Sequence, residues 1–298
     1  MWIGAEDRDS LKALDRAMDL GVNFIDTALA YGDGHSEELV GRAVCSRRGR
    51  ICIATKVPPK NLLWPAQPGI PISKVFPYDY IVKCTEKSLR NLEVETIDVQ
   101  QFHVWSPEWT HADDWRRAIE DLKRSGKVRF FGISINDYQP DSALDALRTG
   151  LIDCVQVIYN IYNPRAADNL FPVCQEMNIG VIARVPLDEG GLTGNITPET
   201  QFPKGDWRHR FFGGDRKRQV WDRAERLKKA VGDQHGTLAQ VALRFCLSHP
   251  AVSTVIPGMR SVRNVESSCA VSDMGPLPEP LLAELKNHVW IRNFYAPQ

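Results

Sequence analysis

Short runs of β-branched and aromatic residues alternate with amphipathic helical patterns along nearly the whole chain of 298 residues. Strands that alternate with helices in this way form parallel βαβ units. We therefore predict an α/β fold of the (β/α)8 TIM-barrel type, which routinely reaches about 250 residues or more as one unit, and we expect residues 1–298 to form a single domain. The strand candidates are residues 22–26, 51–56, 97–102, 128–133, 153–158, 179–185 and 252–257.

Composition excludes several classes of partner. Lys plus Arg equals Asp plus Glu at 37 each, so no net field attracts nucleic acid or an anionic membrane. No stretch approaches the roughly 20 apolar residues of a membrane span, and the N-terminus lacks a secretory signal. The seven cysteines are dispersed without a CxxC pair, and the histidines show no zinc-ligand spacing. We expect a soluble cytoplasmic protein with reduced thiols, no metal and a small-molecule partner.

Four polar residues lie at the downstream ends of three predicted strands. Asp26 ends the first strand and Tyr31 follows it, Lys56 ends the second, and His103 directly follows the third. A barrel gathers the C-terminal ends of its strands on one face, so these side chains are expected to meet. Two long connections, residues 57–78 with six prolines and residues 188–216, are expected to overhang the same face as lids.

The four side chains are suited to protonating a carbonyl oxygen. A phenol is a poor acid at neutral pH, and a neighbouring ammonium favours its ionised form. Lys56 could supply that ammonium, with Asp26 holding it in place beside Tyr31, while His103 hydrogen-bonds the carbonyl. Reduction also needs a hydride, and a nicotinamide cofactor is its usual source.

With these residues in place, the chain resembles the aldo-keto reductases over nearly its whole length. GVNFIDTALAYGDGHSEELVG carries the family's Asp and Tyr, IATK its Lys, and QFH its His. GKVRFFGIS, DCVQVIYN, GVIARVPLDEGGLTG and VIPGMRSVRNVE match as well. The resemblance implies NAD(P)H-dependent reduction of aldehydes or ketones to alcohols, with Tyr31 as the general acid and Asp26, Lys56 and His103 supporting it.

The cofactor is expected near the final strands. No GxGxxG follows a strand, which excludes a Rossmann site, whereas residues 256–261 place a glycine before a helix N-terminus, an arrangement that suits phosphate. Arg260 could clamp a 2′-phosphate, which favours NADPH over NADH. The resemblance implies cofactor contacts from Ser134, Gln156, Leu187, Gly191, Thr193, Gly258, Arg260, Asn264 and Ser268.

Two positions depart from the family pattern. Many members follow the serine of GIS directly with asparagine, whereas here Ile135 intervenes before Asn136. Arg184 occupies the place where many relatives carry an aromatic that stacks on the nicotinamide. A guanidinium plane can also stack, so Arg184 remains a predicted cofactor contact whose charge alters affinity or substrate choice.

The chain begins with a helical pattern where the family has a strand preceded by a small hairpin. We therefore expect the first strand and its N-terminal hairpin to be missing, which leaves a groove between residues 22–26 and 252–257, with Phe24 and Val255 facing inward. Either the true start lies upstream of Met1 or this is a shortened form with exposed strand edges.

Three hypotheses on function follow: an active reductase, a cofactor-binding regulatory subunit, or a truncated form with little activity. No long docking tail is visible, which favours the enzyme. The natural carbonyl substrate and the oligomeric state stay open.

Overall fold

A single parallel sheet forms the centre of the protein. The computed structural model describes residues 6–47 and 49–293, and its seven strands are hydrogen-bonded in chain order. Every predicted strand forms, with ends within two residues of the prediction, so within the described residues the predicted barrel with one strand missing is confirmed. The strands are β1 (Phe24–Asp26), β2 (Cys52–Val57), β3 (Ile97–Phe102), β4 (Val128–Ser134), β5 (Cys154–Ile158), β6 (Gly180–Arg184) and β7 (Thr254–Val255).

Helices cover the outer side of the sheet. In the described part of the chain, none of them is long and apolar enough to cross a membrane. The helices are α1 (Asp7–Asp19), α2 (His35–Val44), α3 (Tyr78–Leu92), α4 (Asp113–Arg124), α5 (Leu144–Leu147), α6 (Leu170–Glu176), α7 (Trp207–Phe211), α8 (Arg216–Val231), α9 (Leu238–Leu247), α10 (Val262–Cys269) and α11 (Glu279–Leu285).

Apolar side chains separate into two layers because successive residues of a strand point to opposite faces. The outer layer, between sheet and helices, is large and includes an aromatic group around Phe102, Trp105 and Phe131. The inner layer is small, with Ala54, Val99, Cys154 and Ile182 buried, and the partly buried residues Phe24, Cys52 and Ile256 pack on it. The prediction for Phe24 holds, but that for Val255 is wrong: Val255 packs on the outer layer, and its neighbour Ile256 faces inward.

The gap left by the absent strand is bridged by helices. Among the described residues, β1 pairs only with β2 and β7 only with β6, so the two strands that border the gap have no ladder between them. Helices α1 and α10 pack against each other across the gap through Ala13, Ala17 and Val265. An ion pair between Arg16 and Glu266, at 2.9 Å, joins the same helices. We call this contact the α1–α10 clasp.

Candidate active site

The four residues predicted to meet do meet at the C-terminal face of the sheet. The Nζ atom of Lys56 lies 2.6 Å from Oδ2 of Asp26 and 5.4 Å from the centre of the Tyr31 ring. The Tyr31 and His103 rings stand edge to face, with centroids 5.8 Å apart. Strands β1, β2 and β3 are adjacent in the sheet, so their downstream ends deliver these side chains to one place.

Lys56 is completely buried. Burying an ammonium group is costly unless it is paired and hydrogen-bonded. Here Nζ donates to the Asp26 carboxylate and, at 2.7 Å, to the backbone carbonyl of Thr27. Lys56 therefore stands as a fixed cation against the face of Tyr31.

Two glutamines hold the other oxygen of Asp26. Nε2 of Gln156 donates to Oδ1 at 2.7 Å, and Nε2 of Gln101 approaches the same atom at 3.4 Å. Gln156 was predicted as a cofactor contact, whereas Gln101 was not predicted. The register of β2 and β3, which sets Lys56 beside Gln101, identifies the latter as an inward-facing neighbour.

Gly132 of β4 makes room for this arrangement. A Cβ atom at this position would lie 2.5 Å from Sγ of Cys154 and 3.2 Å from Cγ of Gln101. Only glycine therefore lets the backbone approach the two side chains so closely.

His103 is held as a neutral imidazole. Its pKa lies well below the ordinary value because of burial first, and then because of the positive charges of Lys56 and Arg184. Its Nδ1 atom is enclosed, and within the described residues it has no hydrogen-bond partner. A neutral ring has one N–H donor and one acceptor nitrogen, so His103 can hydrogen-bond a bound carbonyl without carrying charge.

Arg184 is tethered to the connection that follows β4. Its Nη2 donates to the carbonyl of Ile135 at 2.9 Å and forms an ion pair with Asp137 at 2.6 Å. The positive charge that stands in place of the family's aromatic ring is therefore balanced locally, while still lowering the pKa of His103.

A cavity of about 190 Å³ opens above these residues. The connection predicted as a lid contributes Trp64, whose ring stands edge to face with His103 at 5.8 Å. In the part of the chain that the structure describes, no group of three or more His, Cys, Asp and Glu side chains is placed to hold a metal ion. The cavity is lined by Tyr31, Trp64, Pro65, His103, Val104, Ser134, Ile135, Asn136, Asp137, Gln156, Arg184 and Glu189.

The predicted cofactor residues fall into two groups. Ser134, Gln156 and Arg184 line the cavity. The others lie outside it, in the turn after β6 (Leu187, Gly191, Thr193), in the connection from β7 into α10 (Gly258, Arg260) and in α10 itself (Asn264, Ser268).

The turn after β6 is closely packed. A Cβ atom on Gly191 would lie 2.8 Å from Oδ2 of Asp188 and 3.2 Å from Val220. The Thr193 hydroxyl donates to the carbonyl of Gly190 at 2.6 Å. The backbone of this turn, rather than the Thr193 side chain, is thus the part available to a ligand.

The connection into α10 is open. Space around Gly258 is empty within 4 Å of where a Cβ atom would lie. The Ser261 hydroxyl caps α10 by accepting the N–H of Asn264 at 3.3 Å. Burial, and next the charge of Arg208, lower the pKa of Arg260, so positive charge is concentrated here. An accessible glycine, a helix N-terminus and two arginines fit a phosphate-bearing cofactor.

Comparison with known proteins identifies the family. The model of the aldo/keto reductase family matches residues 2–289, so the chain belongs to this family and is an oxidoreductase. It is 28% identical over 295 residues to an uncharacterized oxidoreductase, YqkF of Bacillus subtilis, which covers 97% of this chain and 90% of that protein.

Two further similarities agree with this assignment. The NADP(+) aldo-keto reductase yakc of Schizosaccharomyces pombe is 28% identical over 276 residues, covering 90% of this chain and 79% of yakc. Among solved structures, the holo form of aldo-keto reductase AKR11C1 from Bacillus halodurans superimposes with a TM-score of 0.78 at 25% identity, covering 98% of this chain and 92% of the other.

Proposed function

We propose that this protein reduces aldehydes or ketones to alcohols with NADPH, and that Tyr31 is the general acid. The observation that carries the proposal is the position of Lys56: its ammonium is buried, fixed by Asp26 at 2.6 Å, and held 5.4 Å from the centre of the Tyr31 ring. A cation in this position stabilises the phenolate left after proton transfer.

The chain's own residues divide the proton chemistry among them. The neutral imidazole of His103 hydrogen-bonds the oxygen of a carbonyl bound in the cavity and polarises it. Tyr31 gives its proton to that oxygen as the carbonyl carbon is reduced. The Tyr31 ring is 39% exposed, so its hydroxyl can be reprotonated by solvent before the next turnover.

A bound nicotinamide supplies the hydride that the carbonyl carbon receives. Ser134 and Gln156 would hold its ring end in the cavity. The turn after β6 and the N-terminus of α10 would hold its phosphates, with Arg260 on the 2′-phosphate. The NADP(+) in the name of the Schizosaccharomyces pombe relative supports this choice of cofactor.

The fold and the thiols support two further parts of the proposal. All seven strands lie in one sheet, which supports one catalytic domain over the whole chain. The seven cysteines are free thiols, which supports a location in the reducing cytoplasm.

Tyr31→Phe tests the general acid. NADPH oxidation with a panel of aldehydes and ketones is expected to slow by at least the ~10²-fold that removal of a general acid costs, with NADPH binding retained. The control is Tyr78→Phe, which removes a hydroxyl that bonds Asp121 away from the cavity. Undiminished turnover in Tyr31→Phe would exclude Tyr31 from the mechanism.

The same assay separates the enzyme from the regulatory alternative. A cofactor-sensing subunit would bind NADPH but oxidise it slowly, and a truncated form with little activity would oxidise it slowly or fail to bind it at all. In neither case would Tyr31→Phe change the rate of NADPH oxidation. Turnover that depends on Tyr31 is expected only of the active reductase.

A further inference from the structure

A second, larger cavity lies beside the candidate active site. It is a groove of about 430 Å³ on the same face of the barrel, between the connections that follow β2, β3, β4 and β5. Its floor includes Ala66, Ser106 and Asn136, each more than nine-tenths buried.

The groove and the active-site cavity share a wall. Asn136 lines both of them. Its Oδ1 atom accepts the backbone N–H of Ala66 at 3.3 Å and of Trp105 at 3.4 Å. The adjoining residue Pro65 lines the active-site cavity, whereas Ala66 lines the groove. The two cavities therefore lie side by side at Pro65 and Asn136.

The groove is rich in hydrogen-bond acceptors. The carboxylates of Glu108, Asp141 and Asp168 lie around it with a single cationic side chain, Arg165. Arg165 is committed to the protein, because it donates to the Tyr138 carbonyl at 3.0 Å and lies over the Tyr138 ring. Negative charge exceeds positive charge, which disfavours a phosphate or carboxylate and favours a ligand that donates hydrogen bonds.

Three side chains of the groove have unused hydrogen-bonding capacity. The Ser142 hydroxyl is enclosed and, among the described residues, has no hydrogen-bond partner. Ser106 is 5% exposed, and in the described part of the chain its hydroxyl has no protein partner. Asp168 is exposed and likewise receives no hydrogen bond from the described residues. By contrast, Glu108 accepts the backbone N–H of Gly69, and Asp141 accepts a hydrogen bond from the side-chain amide of Asn169. A buried hydroxyl that no protein group satisfies is a position where a ligand's polar group gains a hydrogen bond.

We propose that this groove is a distal subsite for the substrate, and that it selects carbonyl compounds whose far end carries hydroxyl or ammonium groups. The inference rests on the proposed reductase function, because it places the reactive carbonyl at Tyr31 and His103. Ser106 takes a distal hydroxyl, and Asp168 takes a distal ammonium. Compounds with a distal phosphate or carboxylate are rejected by the groove's carboxylates.

A rigid series of aldehydes tests the proposal. The series consists of benzaldehydes with a methyl, hydroxymethyl, ammoniomethyl or carboxylate group in the para position. The rigid ring prevents that group from reacting with the carbonyl of the same molecule. Steady-state NADPH oxidation gives kcat/KM for each aldehyde. We expect the hydroxymethyl and ammoniomethyl compounds to exceed the carboxylate by about fivefold or more, the size of a partly exposed charge interaction.

Two variants assign the effect to the groove. Asp168→Asn is expected to lower the kcat/KM ratio of the ammoniomethyl to the methyl compound about threefold to fivefold, and Ser106→Ala to lower the hydroxymethyl to methyl ratio similarly. The comparison is of each kcat/KM ratio in the variant with the same ratio in the parent, because the differing reactivities of the carbonyls then cancel. Asp273→Asn is the matched control, since it removes an exposed aspartate between α10 and α11, outside the groove.

Binding of the same compounds, measured by titration calorimetry, reads the groove independently of turnover. If no aldehyde is reduced but Asp168→Asn selectively weakens the ammoniomethyl compound, the reductase function fails and the groove stands as a binding site. If the variants change all four aldehydes equally or not at all, or if the carboxylate compound is preferred, the subsite proposal is overturned.

Discussion

Asp26 is the residue on which the proposed proton chemistry depends most widely. One of its oxygens binds Lys56, and the other receives hydrogen bonds from Gln156 and Gln101. Strands β2, β3 and β5 thus each contribute one side chain that binds the buried carboxylate of β1. A group held on all sides keeps Lys56 in one position against Tyr31, which is the preorganisation that electrostatic stabilisation requires.

The importance of the hydrogen bonds to Asp26 can be tested by making the same substitution at Gln101 and at its neighbour Gln100, which lie on opposite faces of β3. Gln101 faces Asp26, whereas Gln100 faces α3 and donates to Thr85 at 3.1 Å. Gln101→Leu is expected to lower kcat about fivefold, roughly the value of one hydrogen bond, with the Kd for NADPH unchanged. Gln100→Leu is expected to alter stability and leave kcat intact. Equal kcat values in the two variants would remove Gln101 from any role in the site.

The long connection that follows β6, residues 188–216, lies close to the segment that leads from β7 into α10. Asp206, whose side chain is fully buried, caps α7 and forms a two-pronged pair with Arg208 at 3.0 and 2.8 Å. After burial, Arg208 is the group that most lowers the pKa of Arg260, while Asp206 opposes it. The connection predicted as a lid therefore supplies positive charge to the proposed phosphate site at the N-terminus of α10.

Arg260→Ala is expected to weaken NADPH binding by roughly 10- to 100-fold, as for the loss of a charged hydrogen bond, and to leave NADH binding nearly unchanged. The comparison is Arg263→Ala, which removes an exposed arginine three positions along in α10. Dissociation constants come from cofactor fluorescence. A parallel loss for NADH and NADPH would contradict a contact with the 2′-phosphate.

Hydrophobic periodicity predicts the strands because a buried parallel strand needs an apolar run wherever it lies. The order of those strands then brings Asp26, Tyr31, Lys56 and His103 to one face. Gln101 could not be assigned from the sequence because its role depends on register, and the error at Val255 arose the same way, since a shift of one residue exchanges the two faces of a strand. The acceptor-rich groove depends on how four connections pack against one another, and no local sequence pattern encodes that packing.

For the molecule as a whole, two buried groups contribute to how stability depends on pH. Burial, and then the charge of Glu189, raise the pKa of Asp188 to about 7. The unfolded chain ionises this group near pH 4, so folding holds a proton that the unfolded state has released between about pH 4 and 7. Asp188 therefore costs stability progressively as pH rises through that window. His103 has the opposite effect: its lowered pKa costs stability as pH falls below about 6.5.

Asp188→Asn should remove the first of these costs. Asparagine keeps the shape of the side chain and tolerates the positive φ of 49° at this position. We expect the variant to be more stable than the parent at pH 8, by up to about 4 kcal/mol, with a much smaller difference at pH 4.5. Thermal unfolding across this range, with Asp273→Asn as control, gives the comparison. A gain of equal size at both pH values would show that charge on Asp188 is not its source.

The α1–α10 clasp has a consequence for the time at which the protein can close during synthesis. Arg16 and Glu266 are 250 residues apart in the chain. At the usual rate of about 5–20 residues per second, the ribosome completes α1 roughly 10–50 seconds before α10 exists. Throughout that interval Ala13 and Ala17 lack the helix that covers them, so the nascent chain presents α1 with this face uncovered. Helix α1 therefore waits for most of the chain to be made before it reaches its final surroundings, and chaperones have that long to bind it.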